Sequence, residues 1–105
     1  MGKGYVSEFM SGGRIVAHGK IAELTNGFRL SNGAPFSVYV RPKFGVSAVD
    51  TVINAKCYQD DVFSEAPVPF NDWSPMAIVE LAPDTELLKS NDVYWGSGQE
   101  VEGGV

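Results

Sequence analysis

Two Asn-Gly pairs, Asn26-Gly27 and Asn32-Gly33, bracket the short piece FRLS. This dipeptide accepts a positive φ at low steric cost, so each pair predicts a tight reversal of the chain. Around them, RIVAHGKIAEL, PFSVYVRP and VSAVDTVINAKCY carry Val, Ile, Tyr and Phe at period two, the pattern of half-buried strands. No window of this half shows a helical stripe at a period of 3.6. Short strands separated by frequent turn signals predict an all-β domain, a single small antiparallel β-sandwich or barrel with extended termini.

The chain has 105 residues, 44% apolar and 20% charged. That suffices for one core and is ordinary for a globular domain. The expected organisation is a flexible N-terminal arm over 1–12, the β-domain over 13–96 and an acidic glycine-rich tail over 97–105. No apolar run is long enough to cross a membrane as a helix. The start, MGKGYVSEFMSGG, lacks the apolar stretch of a secretory signal, and Val6 stands where a myristoylation motif needs Ser or Thr. Cys57 is the single cysteine, so an intrachain disulfide is ruled out and a reducing assembly compartment is expected. In INAKCYQ the alternation puts Ile53, Ala55 and Cys57 on the inward side, which favours a small buried hydrophobe over a reactive thiol.

Charge divides along the chain. Residues 1–55 hold six Lys/Arg and three Asp/Glu, a balance of +3, whereas residues 56–105 hold two and ten, a balance of −8. Such asymmetry marks an interaction surface or a solubilising segment. With no basic cluster and a net charge of −5, direct binding to nucleic acid is disfavoured.

The segment PVPFNDWSPMAIVELAP admits two readings. Ser74 and Pro75 could open a helix as N-cap and first residue. The alternative is a strand beginning at Pro75, with Ala77, Val79 and Leu81 on one face and Pro83 at its end. The run is short, Ile78 and Val79 are β-branched, and no Glu or Gln follows Ser74 by three, so the strand is preferred. DTELLK then predicts one helical turn started by Asp84 and stopped near Ser90-Asn91, before a last strand from Asp92 to Trp95.

Catalytic and metal signatures are weak. One Cys and one His, far apart in sequence, supply half a zinc site, and no metal or cofactor is expected. His18 lies between Ala17 and Gly19 without a nucleophile elbow. Asp60-Asp61 and Asp84/Glu86 match no calcium loop, and Gly12-Gly13 lacks the phosphate-cradling pattern. An enzyme is therefore the weaker class. The aromatic residues remain, and Phe70, Asp72, Trp73, Tyr94 and Trp95 are the candidate interface residues. Trp73, set between Asn71-Asp72 and Ser74-Pro75, is read as an exposed anchor. For Tyr94, burial in the core is the stronger reading.

FNDWSPMAIVELAPD and NDVYWGSG resemble the C-terminal parts of small virion proteins of tailed bacteriophages, of the kind found in phages of gut Bacteroides-type hosts. The resemblance covers about a third of the chain and places Trp73, Pro75, Tyr94 and Trp95 in a shared framework. It implies an auxiliary or decoration protein of the head, a compact β-domain that clamps neighbouring major capsid subunits after assembly in the host cytoplasm. The implied partners are the major capsid protein or other virion proteins, and further copies of the chain itself, with no membrane. Two other classes stay open: a carbohydrate-binding module stacking sugars on Trp73 and Trp95, and a small phage protein acting on a host protein.

Overall fold

A computed structural model describes Ile15 and residues 17–98. The expected arm over 1–12, and the tail beyond Gly98, lie outside the described residues. Among the described residues, six strands and one helical turn follow in order: β1 Ala17–Lys20, β2 Ser37–Pro42, β3 Asp50–Cys57, β4 Ser64–Pro69, β5 Ile78–Leu81, α1 Leu87–Ser90 and β6 Asn91–Ser97. They form two three-stranded antiparallel sheets, β1-β6-β2 and β4-β3-β5. The all-β expectation holds. Isolated bridges Phe28↔Leu81 and Phe36↔Ile78 join the segment before β2 to β5, and Val40↔Phe70 joins β2 to the end of β4. The two sheets are thus stitched along β2 into a partly closed sandwich.

Both Asn-Gly turns form as the dipeptide chemistry predicts. Gly27 and Gly33 have φ of 82° and 73°, and their N–H groups donate to Leu24 O and Leu30 O at 3.2 and 2.9 Å. Asn32 adds an Asx-type bond, its Oδ1 accepting from Ala34 N at 3.0 Å. The reversals bring Leu24, Phe28, Leu30, Phe36, Val38 and Val40 into one core with Ile53, Ala55, Val68, Ile78, Leu81, Val93 and Trp95. Ile53 and Ala55 face inward as expected, and half-buried Cys57 packs against the same core.

Two elements differ from the sequence pattern. β4, SEAPVP, carries two prolines that argue against a strand, yet it pairs with β3 over six residues. It is the outer strand of its sheet, where a missing N–H costs no ladder bond. Ala66 and Val68 point inward, and Pro67, opposite Val52, points outward. The strand over 76–82 is confirmed over Ile78–Leu81, but its faces are not those expected. Lys56 pairs with Glu80 and Cys57 with Ile78, so Val79 is an extra residue in the ladder. One inserted residue breaks the alternation and turns both Ile78 and Leu81 inward. Asp84 starts the helical turn as predicted, its Oδ1 accepting from Glu86 N and Leu87 N at 3.1 Å. Asn91 ends it by donating from Nδ2 to Leu87 O at 3.0 Å.

Candidate docking surface

β6 is the central strand of its sheet, and its alternation separates the two tryptophans. Val93 and Trp95 point into the core, while Tyr94 and Gly96 point out. Trp95 is only 5% exposed and lies 6.4 Å from the Phe28 ring. Its indole covers Gly19, the residue opposite it on β1; a Cβ there would come within 2.8 Å of Trp95 Nε1. Trp95, expected at an interface, therefore belongs to the core of this chain, because neighbouring strand residues must face opposite sides.

Trp73 lies on the other face of the same sheet. Its benzo edge sits over Gly96, where a Cβ would meet Cη2 and Cζ3 at 3.0 Å. Tyr39 packs edge-to-face against Trp73 at 5.3 Å and against Tyr94 at 6.3 Å. All three rings are half-buried. Tyr39 and Tyr94 are directly opposed across β2 and β6, as are Arg41 and Asp92. Lys20, opposite Tyr94 on β1, has its Nζ 6.0 Å from that ring and 3.2 Å from Asp92. The outward side of this sheet is thus an aromatic cluster bordered by Lys20, Arg41 and Asp92. Antiparallel sheets ordinarily show water a polar face here.

The loop that carries Trp73 is fixed to β2 by its backbone. Asn71 N and Ser74 N donate to Val40 O and Val38 O, each at 2.8 Å. Asn71 has a φ of 61°, a conformation its short amide tolerates. Asp72 is exposed and acts locally, its Oδ1 accepting from Trp73 N at 2.8 Å. Ser74 does not cap a helix. It is fully buried, its Oγ accepts from Val38 N at 3.1 Å, and the Ser37 hydroxyl donates to Ser74 O at 2.7 Å. Ser74→Ala is expected to leave the Val38 N–H without its partner and to cost about 1–3 kcal/mol. An unchanged urea midpoint contradicts this anchoring role.

Phe70, the remaining expected interface residue, is half-buried on a different part of the surface. It lines an open groove of about 460 Å³ with Phe44, Val46, Val52 and Leu87. The exposed apolar residues of the loop after β2 were not anticipated from the sequence. Phe44 is 70% and Val49 80% exposed. The available signal was three large apolar residues inside KFGVSAV, a stretch already marked as irregular by Pro42 and Gly45.

No protein-family model, curated protein or solved structure matches the chain.

Proposed function

We propose that this chain is a structural virion component, an auxiliary or decoration protein that binds neighbouring major capsid subunits of a bacteriophage head. The observation that carries the docking part is the outward aromatic cluster Tyr39, Trp73 and Tyr94. Large rings bordered by charged groups are what interface anchors are made of. Trp73 is held there by backbone bonds on both sides, so little ordering entropy opposes its use. The virion part of the reading rests on the likeness of FNDWSPMAIVELAPD and NDVYWGSG to small phage head proteins.

The role is non-catalytic, and the partner face needs an apolar recess for Trp73 with hydrogen-bonding groups for Asp72, Lys20 and Arg41. Mass spectrometry of purified virions tests the placement. The chain is expected in intact particles at a copy number in proportion to the major capsid protein, and its absence from them contradicts the proposal. A glycan-binding role is the weaker reading, because Trp95 lies beneath the sheet and cannot form a stacking platform with Trp73. A glycan series that shifts tryptophan fluorescence in the wild type but not in Trp73→Ala would reverse that ranking.

A further inference from the structure

Among the described residues, the exposed large hydrophobic side chains are Phe44, Val46, Val49, Val52, Tyr58, Val62 and Phe63. All fall within residues 44–63, a stretch centred on β3. They form two groups: Phe44, Val46 and Val49 lie in the loop before β3, with Val52 near the start of the strand, and Tyr58, Val62 and Phe63 lie in the hairpin after it. The eight residues of β3 hold the groups apart by roughly 25 Å. Each group is thus a separate patch at one end of the sandwich, and apolar patches of this kind signal contact surfaces.

The two groups differ in charge. Residues 41–49, RPKFGVSAV, contain Arg41 and Lys43 and no acid. Residues 58–65, YQDDVFSE, contain Asp60, Asp61 and Glu65 and no base. Arg41, Lys43, Asp61 and Glu65 are all exposed. Of the nearby groups of the opposite sign, Asp50 at the start of β3 is exposed, and the others are engaged locally. Lys56, whose Nζ is 5.0 Å from the Phe63 ring, pairs with Glu80 at 3.8 Å. Glu86, on the groove beside Phe44, pairs with Lys89 at 2.9 Å, and Asp84 accepts the N–H groups that start α1.

We propose that copies of this chain associate head to tail, the acidic hairpin 58–65 of one copy docking on the basic loop 41–49 of the next. A two-fold axis through either patch would set that patch against its own kind and oppose like charges, whereas a contact between the two different patches pairs unlike charges and covers both apolar groups. Strand addition along β4 is a poor alternative, since Pro67 and Pro69 interrupt the donors of that edge. The two segments lie at opposite ends of one strand, so a copy cannot satisfy its own contact, and the contact either closes reciprocally between two copies or repeats into a ring or a chain. This inference stands independently of any virion.

Sedimentation velocity of the full chain, from micromolar to millimolar concentration, tests it with two charge-reversed variants. One is Arg41→Glu with Lys43→Glu, the other Asp61→Lys with Glu65→Lys. The wild type is expected to associate with rising concentration, and less so at 1 M salt, where screening shortens to about 3 Å. Each variant alone is expected to lose more than about tenfold in association constant. An equimolar mixture of the two is expected to associate again, because each supplies a patch opposite in charge to one on the other. Circular dichroism matching the wild type keeps folding out of the comparison. A wild type that stays monomeric at millimolar concentration overturns the proposal and leaves these patches to a different protein. Association that survives one reversal but not the other indicates a like-to-like contact and overturns it too, as does a mixture that fails to associate.

Discussion

Trp95→Ala is expected to lower folding stability by about 3–5 kcal/mol, the cost of emptying a large aromatic site in a packed core. Trp95 is the bridge between the two layers near β1. It packs near Phe28 on the inner side and covers the bare backbone of Gly19, so its removal opens a void beneath the sheet. A cost of this size is a large part of the stability of a domain this small. The thermal midpoint should fall by more than about 10 °C, with loss of soluble protein on expression. A midpoint within a few degrees of wild type would place the Trp95 ring elsewhere.

Gly27→Val and Gly33→Val are expected to differ strongly, although the two sites read alike in sequence. Both glycines have positive φ, which a β-branched residue resists at a cost of about 1–2 kcal/mol. Gly33 has open space where a Cβ would stand. At Gly27 a Cβ would lie 2.5 Å from Leu81 O, the oxygen that accepts Phe28 N at 3.1 Å and ties the first turn to β5. Gly27→Val therefore carries backbone strain and a broken bridge together, roughly 3 kcal/mol or more. Equal losses in urea midpoint for the two variants contradict the bridge.

Local chemistry specifies some parts of this fold and not others. The Asn-Gly turns, the Asp84 turn and the strands around Val38 and Ile53 depend on residues within a few positions of one another, and they appear where the pattern puts them. β4 was hidden because Pro67 and Pro69 look like breakers unless the strand is known to be an edge, which is a property of the sheet. The inserted Val79 could not be seen because a bulge is defined by the partner strand.

The candidate site divides in the same way. That Tyr94 and Trp95 face opposite sides follows from the period of any strand, and the sequence already contained it. That Trp73 rests on Gly96 and Tyr39 depends on contacts between distant positions, fixed by the buried Ser74. Gly96 extends β6 past Trp95, and Ser97 belongs to β6 rather than to the tail expected from 97. The first is bare so that Trp73 can lie on it, and the second donates from Oγ to Pro35 O at 2.9 Å. The crowding of both tryptophans into the last third thus has a structural cause, since one packs beneath β6 and the other above it.

The central claim is that Trp73 anchors the chain to a partner rather than completing its fold, and Trp73→Ala tests it when folding and incorporation are measured on the same variant. Half-buried over Gly96, the ring should contribute about 1–2 kcal/mol to folding, so the urea midpoint should fall modestly. Affinity for particles should fall by about 2 kcal/mol, or ~30-fold, in a variant that remains folded. A folded variant that joins particles at wild-type occupancy contradicts the claim.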